Sequence, residues 1–213
     1  MRSAFSRKRL PMALAAGLAL AGMAVGPASA AETPLTFGCQ ATPPIGGAQN
    51  FDVGTGVNAT APESVASGSD FKVTLAPSAI TVPGSVNGYT VKTISNIKLS
   101  MPVPANATLT GKSLSGGSGI GSGVPSIAVS GNTVVMTVPG PIKGGSTFTL
   151  PAVNLDLKAG AAGTAVTTQL AGSSHSDPGL TFTASVTVVF FPVSVPTSCY
   201  PSPNPVLSTT TVD

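Results

Sequence analysis

The feature that most constrains the fold is a series of short runs in which apolar and polar residues alternate. These runs are rich in Val, Thr, Ile and Phe, and Gly, Pro, Asn and Ser separate them. Alternation with a period of two is typical of β-strands with one buried face, and the separating residues favour turns. After residue 30 the helical period is nearly absent. The sequence therefore predicts an all-β protein.

Eleven strands are predicted from this alternation, together with two turns. Asn87-Gly88 is a turn sequence, and Gly131-Asn132 between two valine-bearing runs predicts a tight hairpin. Residues 68–77 and 145–151 share a polar turn, a Phe and a strand ended by Pro, a pattern found in many extracellular immunoglobulin-like modules. Many short strands without helices between them indicate a sandwich or a barrel, and of these we expect an immunoglobulin-like β-sandwich. The predicted strands span residues 51–60, 71–75, 79–82, 89–101, 108–114, 126–129, 133–138, 147–150, 153–157, 165–171 and 180–189.

Residues 1–30 have the pattern of a secretory signal peptide. Four cations fall within the first nine positions, an apolar run covers residues 12–25, and Ala28-Ser29-Ala30 forms a small-x-small cleavage site. Residues 31–200 are then expected to form one β-sandwich domain, which is an ordinary domain size. Residues 201–213 alternate Pro and Ser before a run of Thr, and they predict an extended C-terminal tail.

The positive charge of the chain belongs to this leader. The formal net charge of the 213 residues is +3, but four of the ten Lys and Arg residues lie within the first nine positions. The rest of the chain has six lysines, no arginine and seven acidic residues. A nucleic-acid binder would need clustered Lys and Arg on the folded domain. The composition therefore excludes electrostatic binding to nucleic acid, and it leaves few ionisable groups for a polar active site.

The two cysteines, Cys39 and Cys199, lie near the two ends of the predicted domain. Export would place them in an oxidising compartment, where an even number of cysteines is expected to pair. Only one intramolecular pairing is available, so we predict a Cys39–Cys199 disulfide. The alternative is lipid attachment at Cys39, but residues 36–39 lack the aliphatic residue expected three positions before an acylated cysteine.

Few residues in the sequence suggest chemistry. Ser174-His175-Ser176-Asp177 contains the residue types of a catalytic triad, but neighbours in sequence seldom reach triad geometry. A solvated turn is the preferred interpretation. One histidine and two paired cysteines leave no zinc or copper ligand set. We predict no catalytic residue, no metal site and no cofactor. Six of the seven acidic residues are scattered along the chain, at Glu32, Asp52, Glu63, Asp70, Asp156 and Asp177.

Two further segments have alternative interpretations. Residues 113–123 are rich in Gly and Ser but lack the Lys of a phosphate-binding loop, so we expect a flexible loop between strands. Phe190, Phe191 and Tyr200 form the densest aromatic group. We expect them to pack around the disulfide, with contact to an apolar ligand as the alternative.

Two cysteine-bearing segments enclose a strand-rich body punctuated by Gly and Pro. They are Leu35-Thr36-Phe37-Gly38-Cys39 after the leader and Pro196-Thr197-Ser198-Cys199-Tyr200-Pro201 near the end. This layout resembles that of small secreted actinobacterial proteins, of the uncharacterised kind whose single β-sandwich domain is bracketed by a cysteine pair. The resemblance implies an extracellular or envelope location, and it supplies no catalytic residues.

The expected function is that of a secreted, non-enzymatic structural or binding component of a bacterial cell envelope. Candidate partners are a cell-wall polymer, an envelope lipid or another envelope protein, and no segment after the leader is apolar over a helical membrane span. An alternative is a carrier of an apolar envelope molecule, with a cavity between sheets lined by residues such as Phe182, Phe190 and Ile97. Less favoured alternatives are an outer-membrane barrel, which the shortage of aromatic residues opposes, and a hydrolase that uses His175.

Overall fold

The computed structural model describes residues 32–44, 47–188 and 191–213. All regular secondary structure in these ranges is β-strand, which confirms the prediction of an all-β protein. None of the described residues belongs to a helix with the length and apolar character needed to cross a membrane. The first nine strands are β1 (Thr33–Ala41), β2 (Gln49–Thr60), β3 (Ser64–Val65), β4 (Asp70–Pro77), β5 (Ile80–Thr81), β6 (Ser85–Val86), β7 (Tyr89–Pro102), β8 (Ala107–Ser115) and β9 (Ser126–Ser130). The others are β10 (Thr133–Val138), β11 (Ile142–Lys143), β12 (Thr147–Phe148), β13 (Ala152–Ala159), β14 (Thr164–Thr168), β15 (Leu180–Val188), β16 (Phe191–Pro201) and β17 (Ser208–Val212).

Twelve of the strands form one antiparallel sheet. Its order is β8-β13-β4-β2-β1-β16-β15-β7-β10-β9, and β6 and β11 also pair with β7. The strands at the two edges, β8 and β9, contact each other, so the sheet curls back toward itself. This single curled sheet differs from the two separate sheets of the predicted immunoglobulin-like sandwich.

Two small sheets complete the structure. One pairs β5 with β12, and the other has the order β14-β17-β3, in which β17 and β3 are parallel. Buried residues of all three sheets belong to one hydrophobic cluster, in which Phe148 of β12 and Val212 of β17 join the inward-facing residues of the main sheet. The small sheets therefore pack onto the same core as the large one.

The C-terminal residues differ from the predicted extended tail over 201–213. Pro201 ends β16, and β17 pairs with β14 and β3. Thr210 and Val212 are about 99% buried. A run of Thr has high β-propensity and alternates its two faces, so this segment has the composition of a half-buried strand.

Two strands that the sequence analysis missed, β1 and β16, lie at the centre of the main sheet. In β16, Pro192 and Pro196 argued against a strand, because proline cannot donate a backbone hydrogen bond. The pairing of β16 with β1 begins only at Thr197. Pro192 therefore lies where β16 has a neighbour on one side alone, a position in which proline is tolerated. Pro196 lies just outside the named register, and its carbonyl accepts a 2.9 Å hydrogen bond from the Thr42 N–H.

The Cys39–Cys199 disulfide is present, as predicted. The two cysteines are direct partners in the register of β1 and β16, and both are almost fully buried. The bond spans 160 residues of sequence, so it joins the two central strands that lie furthest apart along the chain.

Both predicted turns are confirmed. Val86 pairs with Tyr89 around Asn87-Gly88, and both turn residues have positive φ angles, as a type I′ hairpin requires. Ser130 pairs with Thr133 around Gly131-Asn132, with Gly131 at φ 59°. The predicted signal peptide, residues 1–30, lies outside the described residues.

Candidate functional site

An apolar cavity lies between the inner face of the main sheet and the small β5–β12 sheet. Its volume is about 110 Å³, and it is open on one side. Among the described residues that line it, none is charged. The lining consists of Ala41, Phe51, Val53, Ile80, Thr81, Val82, Pro83, Val86, Val91, Ile94, Ile97, Phe148, Leu150, Leu180, Phe182, Ala184, Val186, Val195 and Thr197.

One wall of the cavity is β15. Leu180, Phe182, Ala184 and Val186 are spaced two residues apart, so all four side chains lie on the same face of this strand and line the cavity. Ala184 is the smallest of the four. Its methyl group therefore takes up the least volume along this wall.

A second wall is β7, in which the cavity residues are spaced three apart instead of two. Its pairing with β15 shifts register at two points, and Asn96 at one of them has a φ of 53°. Each shift inserts an extra residue into β7, as a β-bulge does, and reverses the alternation beyond it. The bulges therefore turn Val91, Ile94 and Ile97 toward the same cavity.

Three residues were expected to line such a cavity. Phe182 and Ile97 line it, as expected, and Phe190 lies outside the described residues. The contribution of β16 was not expected, because that strand was not predicted. Phe191 at one end of β16 is 72% exposed, and Tyr200 lies near the other end, so these two aromatic residues do not form the expected cluster around the disulfide.

A second cavity of about 150 Å³ adjoins the first. The two share Ala41, Val86, Val186 and Val195 in their linings, so they lie side by side. Polar residues border the second cavity, where the Asn87 side-chain amide donates a 3.1 Å hydrogen bond to Gln49 Oε1. The two cavities are therefore neighbours, and the second has the more polar lining.

Three threonines among the described residues are buried, and only one of them has an unpaired hydroxyl. Thr168 Oγ1 lies 2.7 Å from Ser208 Oγ, and Thr210 Oγ1 donates to the Pro62 carbonyl at 2.8 Å. Thr197 is 3% exposed and lines the first cavity, and its Oγ1 has no hydrogen-bond partner. An unmade hydrogen bond at a buried hydroxyl costs about 1 to 3 kcal/mol.

Residues 173–177 form a compact polar turn on the surface. Ser173 Oγ donates to Asp177 Oδ2 at 2.8 Å, and the Asp177 backbone N–H donates to Ser174 Oγ at 3.1 Å. The His175 ring packs edge-on against Tyr200, with ring centroids 5.1 Å apart, and its Nε2 has no hydrogen-bond partner. The serine and aspartate side chains therefore bond within the turn, and the histidine contacts an aromatic ring.

The acidic residues remain dispersed in the folded chain. Asp156 pairs with Lys72 across β13 and β4 at 3.4 Å, with both side chains about half exposed. Glu32 accepts a hydrogen bond from Ser78. Within the described ranges, no three residues of the types His, Cys, Asp and Glu lie close enough together to hold a metal ion.

Comparisons with known proteins give a similarity of fold. No protein-family model matches the chain, and no curated protein matches it in sequence. A solved structure described as "Putative membrane anchored protein from Corynebacterium diphtheriae" is similar, with a TM-score of 0.57 and 19% sequence identity. The similarity covers 86% of this chain and 38% of that one, so this chain spans less than two fifths of the neighbour's length. The chain thus has a fold that also occurs in an actinobacterial protein.

Proposed function

We propose that this protein is a secreted, non-enzymatic binding component of a bacterial cell envelope, and that its cavity holds an apolar group of an envelope molecule. The observation that carries the proposal is the open, uncharged cavity between the main sheet and the β5–β12 sheet. A concave, mostly apolar space of this kind is the usual form of a site for an apolar ligand.

The size and lining of the cavity favour a small apolar group. An enclosed apolar cavity of roughly 150 Å³ has room for benzene, and the two adjoining open cavities here are of about that size. Burial of apolar ligand surface against this lining supplies the binding free energy. The carrier function therefore has more support than a purely structural role, for which the cavity has no purpose.

The proposed location outside the cytoplasmic membrane has separate support. The Cys39–Cys199 disulfide is typical of an oxidising compartment, and residues 1–30 have the pattern of a signal peptide. The neighbour of similar fold is described as membrane anchored, which agrees with an envelope setting.

Toluene is a suitable probe of the cavity, because it is apolar and slightly larger than benzene. We expect the purified protein to bind toluene, and methyl NMR signals of Val91, Ile94 and Ala184 to shift during a titration. Replacement of Ala184 by Leu fills the space between Phe182 and Val186. The variant A184L should therefore weaken toluene binding by roughly tenfold or more.

A matched control lies on the same strand. Thr183 occupies the opposite face of β15 and does not line the cavity, so T183L should leave toluene binding unchanged. Denaturant unfolding should show that A184L is still folded. Failure of the wild-type protein to bind toluene, or equal binding by A184L, would contradict the carrier function and favour a structural role.

A further inference from the structure

Thr197 is the position in the cavity at which a polar atom of a ligand can be recognised. Among the described residues that line the first cavity, the hydroxyl-bearing side chains are those of Thr81 and Thr197. Thr81 is exposed, and its Oγ1 lies 2.9 Å from Thr147 Oγ1. Thr197 is nine-tenths or more buried and has no partner for its hydroxyl.

The placement of Thr197 in β16 is otherwise suited to an apolar residue. Val195 and Cys199, two positions before and after it, are also buried and lie on the same face of the strand. Its register partners are Ala41 in β1 and Phe182 in β15, which both line the cavity as well. A valine would fill the same volume without an unpaired hydroxyl, so the hydroxyl has no structural benefit within the described chain.

We infer that the ligand is an uncharged, mainly apolar molecule with one hydroxyl or carbonyl oxygen that hydrogen-bonds to Thr197 Oγ1. This inference rests on the proposed binding function. Thr197 lines the cavity, and rotation about its Cα–Cβ bond moves Oγ1 among three staggered positions. A hydroxyl side chain both donates and accepts, so it matches an alcohol, a ketone or an ester.

The lining also argues against a charged ligand group. An ionised carboxylate or phosphate taken into an apolar space requires a counter-charge, because removal of a charge from water is costly. The described lining offers no charged side chain that could compensate it. A neutral alcohol or ester loses less hydration free energy, and one hydrogen bond to Thr197 offsets much of that loss.

Phenol and toluene form a matched pair of probes, because they differ only in a hydroxyl in place of a methyl group. The variant T197V removes the protein hydroxyl at constant volume, and T197S retains it. In the wild-type protein phenol hydrogen-bonds to Thr197, so T197V should weaken phenol binding relative to toluene binding by roughly three- to tenfold. T197S should keep the wild-type ratio of the two dissociation constants.

The outcomes separate this inference from the proposed function. Binding of both probes, with a ratio that T197V leaves unchanged, would overturn the role of Thr197 and leave the carrier function standing. Binding of neither probe by the wild-type protein would overturn both. Thermal unfolding of T197V should show a folded protein, because valine has the same shape as threonine and suits the buried strand face.

Discussion

Cys39 and Cys199 illustrate how much one residue pair can determine in this fold. They lie directly opposite each other where β1 pairs with β16, in the centre of the main sheet. Their disulfide closes a loop of 160 residues. In the chain-entropy account, closure of a loop of that length disfavours the unfolded state by about 5 kcal/mol, and native disulfides commonly contribute about 2 to 5 kcal/mol.

The corresponding prediction concerns the double variant C39A/C199A. We expect its free energy of unfolding in denaturant to fall by about 2 to 5 kcal/mol relative to the oxidised wild-type protein. The wild-type protein unfolded in the presence of a reductant is the control, and it should lose a similar amount. Protein recovered from outside the cytoplasmic membrane and denatured without reductant should show no titratable thiol, whereas two thiols would contradict the native disulfide.

At the scale of elements, the Gly/Ser segment over residues 113–123 is more closely packed than the predicted flexible loop. Ser118 forms a β-bridge with Thr149, and the alternate glycines Gly117, Gly119 and Gly121 lie against the backbone of residues 140–151. A Cβ atom on Gly119 would lie 2.7 Å from the Thr147 carbonyl oxygen. Phe148 of β12 lines the cavity, so this segment packs on one element of the cavity wall.

Two glycines with similar φ angles allow two effects of a Gly-to-Ala substitution to be measured separately. One effect is backbone strain, and the other is a clash of the added methyl group with its neighbours. Gly119 has a φ of 66° and Gly131 a φ of 59°, but a Cβ on Gly131 would have nothing within 4 Å. G131A should lose about 1 kcal/mol of unfolding free energy through backbone strain alone. G119A should lose about 1 to 3 kcal/mol more, because the added methyl group clashes with β12. Denaturant unfolding measures both, and equal losses would show that the loop is not closely packed.

The predicted strands follow a local alternation of apolar and polar residues, whereas the missed features depend on pairing between distant parts of the chain. Strands with plain alternation, such as β10 and β13, were predicted within two residues of their observed ends. β16 was missed because its prolines argue against a strand until the register with β1 is known. The cavity was foreseen in part through Phe182 and Ile97, whereas the bulges in β7 depend on pairing between distant strands, which no local pattern encodes.

At the scale of the whole molecule, both ends of the described chain are part of the fold. β1 lies between β2 and β16 in the middle of the main sheet, and β17 joins β14 to β3 in the three-stranded sheet. The Thr211 backbone N–H donates to the Glu63 carbonyl, and the Asp213 N–H donates to Val65, so the last residues connect distant parts of the chain. The C-terminal residues are therefore part of the packed structure. Substitutions at their buried positions should lower the free energy of unfolding.

A substitution at Val212 distinguishes a packed C-terminal strand from a solvated tail. It should lower the free energy of unfolding if the strand is packed and leave it unchanged if the tail is solvated. Its side chain is 1% exposed within the common core, so V212A removes buried methyl groups and should lower the free energy of unfolding by about 1 to 3 kcal/mol. Thr211 is the matched control on the same strand, since its side chain is exposed, and T211A should change stability by less than about 0.5 kcal/mol. Denaturant unfolding of both variants gives the comparison. If V212A is as stable as T211A, then β17 does not pack against the core, and residues 201–213 behave as the solvated tail that their Pro, Ser and Thr composition suggested.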